Sequence, residues 1–579
     1  MKFTSCCVTA AIISALSSKA SADDDDAAIR QAKMNYPINV IAQNYTDSEG
    51  VLLQGFLSTP NTTTTSTDQK VPAVVIMNDS SGTDAYEKQR ATMIANELGY
   101  VAFAADTFGV ETEIPVDTGG WGGPYADFIS TFIRNATLFT QRIAAAVDHV
   151  QSLPNVDETK VAILGYCLGG TGVVHYINVD GEKEGGAAAA VSIHPSLLGA
   201  WDNPLGKINI PSIFLTGGND FLTGPQAMAS LEGDMTSAST VEWETNRYAK
   251  IDHAFTNWFA ETAYNARADE RSWNSMKTFL ADTFGQSEES SYSWESASQL
   301  DLESEDCCEG VAFVDHGPDE EGRRDFVVHA GDKYGCPDPS CKVPTVIILP
   351  DKSESGRLFA KQRAMQISQR YGYATWVSEG NVAARQYFDG VGYIDSEKVA
   401  LEGYGSGAQD ALDFAMGGNI GGIDGDQEYS FKVISIFEVP ENITDVNDDA
   451  ALTYKPQILI SSGVDGDNMS DVIKLESTLM GMDANYEINR YSDTSANFTD
   501  WNDLDGSYNA IAAGRSFENV ESIYREMFGE FYWEIPPQTE SPTPAPPSTQ
   551  APAPSGASLS TVTTASSCVL LAVAYFLSM

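Results

Sequence analysis

The sequence predicts an α/β fold, a mostly parallel sheet with helices on both faces, built twice in tandem. Three observations carry this. Short apolar runs alternate with helical segments from residue 38 to residue 285, which is the pattern of strands covered by crossover helices. The runs at 71–77 and 100–105 are apolar without polar alternation, as expected of strands buried on both faces. Whole blocks also return later in the chain. Val71-Pro72-Ala73-Val74-Val75-Ile76 comes back as Val343-Pro344-Thr345-Val346-Ile347-Ile348, and Lys88-Gln89-Arg90-Ala91 as Lys361-Gln362-Arg363-Ala364. Asn246-Arg247-Tyr248 comes back as Asn489-Arg490-Tyr491, and Tyr264-Asn265-Ala266 as Tyr508-Asn509-Ala510. A period this long is a duplicated domain, not a solenoid.

Taken in order, 38–57 reads as a β-ribbon and 71–77 as a core strand. A helix at 87–98 precedes the next strand at 100–105. Residues 107–135 read as a long irregular insertion rich in Gly and aromatics, Trp121 among them, of the kind that covers a cleft. A helix at 138–153 leads to a short buried strand at 161–164, and a helix at 271–284 closes the unit. The expected divisions are 28–285 for the first domain, 286–309 for a Ser/Glu-rich linker and 310–535 for the second domain.

Gly165-Tyr166-Cys167-Leu168-Gly169-Gly170 follows the strand at 161–164 and opens an apolar helix. Glycines two before and two after a nucleophile let the backbone turn sharply beneath it, the strand–turn–helix of a nucleophile elbow, with cysteine where serine is usual. A small buried cysteine at a tight junction is the plainer reading of the motif alone. Two later stretches tip the balance. Ile213-Phe214-Leu215-Thr216-Gly217-Gly218-Asn219-Asp220 is a strand ending at an acid. Arg247-Tyr248-Ala249-Lys250-Ile251-Asp252-His253 places a histidine after another strand. Nucleophile, acid and histidine in this order, each past the carboxyl end of a strand, make Cys167, Asp220 and His253 the candidate triad.

These residues, with Gly99-Tyr100-Val101-Ala102, Asp106-Thr107-Phe108-Gly109 and His253-Ala254-Phe255, resemble the dienelactone hydrolase family over roughly residues 38–285. The resemblance implies an α/β-hydrolase fold, a Cys167–His253–Asp220 triad and an oxyanion hole from the backbone N–H groups of Leu168 and Ser80. Family members usually carry an acid after the first core strand that helps ionise the cysteine; Asp79 stands there. Bacterial members also carry an arginine shortly after the histidine, where this chain has Asn257. The resemblance calls for no metal and no organic cofactor.

The second copy reads as a domain without this chemistry. Its elbow is Gly403-Tyr404-Gly405-Ser406-Gly407, with Gly405 at the cysteine position and Ser406 one residue out of place. Asp465 is expected at the acid position and Ala496 at the histidine. Without nucleophile and base it cannot run the same mechanism.

The ends of the chain read as sorting signals. Lys2, an apolar run at 8–16 and Ala20-Ser21-Ala22 make residues 1–22 a signal peptide. Residues 536–555 are a Pro/Ser/Thr-rich stalk. Small residues at 555–557, a spacer and a short apolar tail at 568–577 make 556–579 a GPI-attachment signal, since the tail is shorter than the ~20 residues of a spanning helix. Export gives meaning to the sequons at Asn44, Asn61, Asn78, Asn135, Asn442, Asn468 and Asn497. Cys6, Cys7 and Cys568 fall within the signals. Cys307, Cys308, Cys336 and Cys341 are placed to form two disulfides, with zinc ligation as the other reading, and Cys167 is left as an unpaired thiol.

The formal charge of −47 excludes nucleic acid as a natural partner and gives an acidic, solvated surface. The reading is a cell-surface hydrolase of small esters or lactones, held to the membrane through its GPI anchor. The alternative is a surface-displayed binding or adhesion protein that turns nothing over.

Overall fold

The computed structural model describes residues 26–529 apart from 61–69, 117–122, 181–184, 198–207, 287–310, 319–323, 331–341, 380–393, 417–430, 440–454, 466–467 and 504–505. The expected sorting signals and stalk, residues 287–309 of the expected linker, Trp121 and the four clustered cysteines lie outside the described residues.

In the first half the elements run β1 (Ile41–Thr46), β2 (Leu52–Ser58), β3 (Val71–Met77), α1 (Ala85–Glu97), β4 (Val101–Ala105), α2 (Pro124–Ile133), α3 (Ala136–Gln151), β5 (Val156–Tyr166), α4 (Leu168–Asp180), β6 (Ala189–Ile193), β7 (Ser212–Gly217), α5 (Pro225–Ala238), β8 (Trp243–Tyr248) and α6 (Ala266–Thr283). The second half runs β9 (Val311–Pro318), β10 (Arg324–Ala330), β11 (Val343–Leu349), α7 (Glu354–Tyr371), β12 (Ala374–Val377), β13 (Ile394–Tyr404), α8 (Ser406–Ala415), β14 (Phe431–Phe437), β15 (Gln457–Gly463), α9 (Met469–Gly481), β16 (Asn485–Tyr491) and α10 (Ala510–Phe528).

The described strands form one 16-stranded sheet, in the order β1-β2-β4-β3-β5-β6-β7-β8 and then β16-β15-β14-β13-β11-β12-β10-β9. The second series repeats the order of the first, read from the far edge inwards. Each neighbouring pair in the series β4-β3-β5-β6-β7-β8 is parallel, while β1 and β2 form the antiparallel ribbon expected at 38–57. The interior strands β4, β6 and β7 are buried at every residue. Two apolar clusters explain this. One lies under α2, α3 and α4 and the other under α1 and α6, so both faces are covered. The second half has its own core around Phe359, Tyr404, Phe437 and Phe517.

Helix starts follow local chemistry. Asp84 and Glu87 form a reciprocal capping box at α1, and Asn135 caps α3. The insertion at 107–135 differs from the expectation of irregular chain, because its later part is the helix α2. Pro124 occupies the first turn, and Phe128 and Phe132, four residues apart, pack tilted and edge-on against Phe108, with ring centroids at 4.9 and 5.0 Å. The glycines before it hid that spacing.

The halves join where β8 and β16 pair antiparallel, with Asn246 opposite Asn489. Ion pairs flank this seam in mirrored sets. Arg247 meets Glu476 and Arg490 meets Glu232, at 2.7 and 2.8 Å. Arg271 meets Glu487 and Arg515 meets Glu244, at 3.1 and 3.2 Å. All eight side chains are at most 8% exposed. Buried charges are tolerated only when paired in this way.

Candidate active site

The elbow is built by exclusion. A Cβ on Gly165 would sit 2.1 Å from the Gly169 carbonyl oxygen, and one on Gly169 would sit 2.3 Å from that of Met77. Only glycine fits at either position. Between them Cys167 is held at φ +53°, a left-handed conformation that a β-carbon resists. The turn leaves Cys167 partly buried at the carboxyl end of β5, directly ahead of α4.

The three side chains expected to act together meet here. His253 Nε2 lies 3.0 Å from Cys167 Sγ, and His253 Nδ1 lies 2.8 Å from Asp220 Oδ2. The Asp220 side chain is fully buried and its other oxygen accepts the Leu222 N–H at 2.9 Å. His253 is 23% exposed at the side chain. Burial works against its charge, but attraction to the Cys167 thiolate and the Asp220 hydrogen bond win and push it up to about 10. An imidazolium within hydrogen-bond reach of a thiol favours the thiolate form.

Leu168 opens α4, so its N–H belongs to a helix first turn. Ser80 sits on the turn after β3, and its carbonyl accepts the hydroxyl of Tyr125 from α2 at 3.1 Å. The insertion thus grips the loop expected to supply an oxyanion donor. Asp79 is buried, and burial raises its carboxyl above the usual range. Its Oδ1 accepts from Ser81 N and Oγ at 2.7 and 2.6 Å, and its Oδ2 accepts from Asn257 Nδ2 at 3.0 Å. Asp79 thereby ties the loop after β3 to the histidine loop.

His194 belongs to the site and was not singled out from the sequence. It is buried at φ +39°, and its Nδ1 accepts the Cys167 N–H at 3.0 Å. Its Nε2 lies 2.8 Å from Thr256 Oγ1, which in turn lies 2.8 Å from the Tyr86 hydroxyl. Burial and the neighbouring His253 hold His194 well below the usual histidine range, so it stays neutral and buttresses the strained cysteine. The signal for it was its place, at the carboxyl end of the parallel strand β6.

In the second half the elbow survives as a shape. Gly405 stands at φ +52°, and a Cβ on Gly407 would lie 2.2 Å from the Leu349 carbonyl oxygen. Asp351 fills the place beside it: its Oδ2 accepts the Ser406 N–H at 3.0 Å. Ser406 accepts from Lys352 N through its Oγ. One expectation needs correction. Asp465 N–H donates to the Thr494 carbonyl as Asn219 N–H donates to that of Ile251. Asp465 is therefore the counterpart of Asn219, not of Asp220, because the loop is offset by one residue. Ala496 does occupy the counterpart of His253, since Asn497 and Ala254 share the same left-handed turn at φ +62°.

A mostly parallel sheet with helices on both faces, a strained elbow after β5, an acid after β7 and a histidine after β8 define an α/β-hydrolase. The model of the dienelactone hydrolase family matches residues 58–284 of the chain. The uncharacterized protein K02A2.1 of Caenorhabditis elegans is 26% identical over 159 residues, which is 26% of this chain and 97% of that protein. Among solved structures, the dienelactone hydrolase-like promiscuous phosphotriesterase P91 from metagenomic libraries is 22% identical. It covers 42% of this chain and 98% of its own at a TM-score of 0.37. An esterase of Pyrobaculum calidifontis is 16% identical and covers 46% of this chain and 93% of its own, at a TM-score of 0.31.

Proposed function

We propose that the first half hydrolyses a carboxylic ester or lactone with Cys167 as nucleophile, and that the second half performs no chemistry. The observation that carries this is the single imidazole of His253, in reach of both Cys167 and Asp220. The thiolate sulfur attacks the carbonyl carbon, and the carbonyl π electrons move to oxygen. The N–H groups of Leu168 and Ser80 face that oxyanion, the kind of preorganised electrostatic contribution that is usually the largest in acyl transfer. Collapse breaks the carbon–oxygen bond, and His253 gives its proton to the departing alkoxide. Water then attacks the thioester, His253 takes its proton, and the thiolate and the free acid are released. Asp220 keeps the imidazole in the tautomer that presents Nε2 to sulfur. Asp79 acts on the loops around the thiol.

The test is turnover of p-nitrophenyl acetate by purified protein and by Cys167→Ala. The variant should lose several orders of magnitude in rate. Absence of turnover in the parent protein would favour a surface-displayed binding protein instead.

The location belongs to the same proposal. We propose that the protein lies outside the cell and on its membrane, a reading supported by the signal-peptide, stalk and GPI-attachment patterns of the sequence. Release from intact cells by phosphatidylinositol-specific phospholipase C supports this; mature protein that retains residues 568–579 contradicts it.

A further inference from the structure

The second half holds a buried carboxylate against the first half's acid loop. Arg247, on β8, spans the chain on both sides of Asp220. Its Nη1 donates to the Thr223 carbonyl at 2.7 Å, just after the acid, and to Thr216 Oγ1 at 3.2 Å, just before it. The same guanidinium donates through Nε to Glu476 Oε1 at 2.7 Å, and Glu476 stands on α9 of the second half. Arg247 and Glu476 are 4% and 5% exposed at the side chain, so the carboxylate is the counter-charge that lets the arginine stay there. Glu476 also accepts the Tyr486 hydroxyl at 3.2 Å.

Backbone bonds extend the clamp to the histidine. Gly218 N–H and Asn219 N–H donate to the carbonyls of Tyr248 and Ile251 at 2.6 and 3.0 Å, stitching the acid loop to the histidine loop. Ala249 N–H donates to the Tyr486 carbonyl at 2.8 Å, and Lys250 pairs with Asp483 at 2.9 Å. The chain between β8 and His253 is thus fastened to β16 and the turn before it.

The geometry points to Glu476 as a positioning residue for the triad: through Arg247 it fixes Asp220, and Asp220 fixes His253. The inference rests on the proposed hydrolase reading, but it is tested without turnover. The mirrored pair supplies the control. Arg490 donates through Nε to Glu232 at 2.8 Å and through Nη1 to Ser462 Oγ at 2.9 Å. This pair has similar burial and the same chemistry, but it braces β15 of the half that has no nucleophile.

The experiment compares Glu476→Gln with Glu232→Gln in the full-length protein. The first readout is the rate at which iodoacetamide alkylates Cys167 across pH. The second is kcat and KM for p-nitrophenyl acetate, and the third is thermal unfolding. Both variants should lose similar stability. Glu476→Gln should slow alkylation at neutral pH by roughly tenfold, as a thiolate loses its oriented imidazolium. It should lower kcat with KM unchanged, while Glu232→Gln stays within about twofold of the parent in both. Equal effects of the two variants on alkylation, or none from Glu476→Gln, would overturn the proposal. Normal alkylation in a parent protein that hydrolyses no ester would overturn the hydrolase reading and leave the clamp to be judged on alkylation. Should Glu476→Gln fail to fold, Arg247→Lys against Arg490→Lys serves the same purpose. Lysine keeps the charge but loses the fork, so alkylation should slow only in Arg247→Lys, and equal rates would again overturn the proposal.

Discussion

Cys167 and Gly405 stand at the same turn of the two halves with the same backbone, at φ +53° and +52°. One carries a thiol at that turn and the other carries no side chain at all. The second half has therefore kept the elbow's geometry while losing what the elbow presents.

Restoring the side chain should not restore the chemistry. A Cβ on Gly405 would lie 2.7–2.9 Å from the Asp351 carboxylate. It would also adopt the left-handed region, which costs about 1–2 kcal/mol for a residue with a β-carbon. Gly405→Cys should lower the unfolding midpoint and add no esterase activity to a Cys167→Ala background. A stable, active Gly405→Cys variant would show that Asp351 yields and that the rest of a site is present.

Asn78 should carry no glycan although it begins a sequon. Its side chain is fully buried, with Nδ2 donating to the Asp79 carbonyl at 2.6 Å and Oδ1 accepting the Thr107 N–H at 3.0 Å. Both ends of the amide are used inside the fold, between the two loops that follow β3 and β4. Glycopeptide mass spectrometry of folded protein should find Asn78 unmodified, whereas Asn44, Asn135, Asn468 and Asn497 are exposed. Asn78→Ala should cost about 1–3 kcal/mol in denaturant unfolding, because the Thr107 N–H loses its partner.

The pH dependence follows from His253. Its proton is held more tightly in the fold, up to about 10, than in the unfolded chain, near 6.5. A raised value means that the stabilisation is complete below about pH 6.5 and is lost as pH rises towards 10. The stability difference between the parent protein and His253→Gln, from urea unfolding at several pH values, should shrink over that window. A difference that grows with pH would contradict a raised value for His253.

The site was legible where sequence and space coincide. The elbow glycines, Asp220 and His253 each follow a buried strand directly, and the parallel sheet brings those strand ends together. His194 also follows such a strand, yet a lone histidine before Pro195 has no motif around it. Its role depends on contacts with Cys167 and Thr256, which are distant in the chain. The α2 helix was obscured by neighbouring glycines, and Asp465 was misaligned by a single-residue offset in its loop. The repeat of Asn246-Arg247-Tyr248 as Asn489-Arg490-Tyr491 was visible as a duplication. That the two copies pair with each other was not, because antiparallel pairing of two edge strands leaves no local mark in either.

The central claim is that Cys167 is the nucleophile, and iodoacetamide tests it most directly. Among the described residues it is the free cysteine. Native protein should be alkylated at Cys167, and hydrolysis of p-nitrophenyl acetate should fall in step with the fraction modified, reaching background at one equivalent. Full hydrolytic activity in protein quantitatively alkylated at Cys167 would contradict the account.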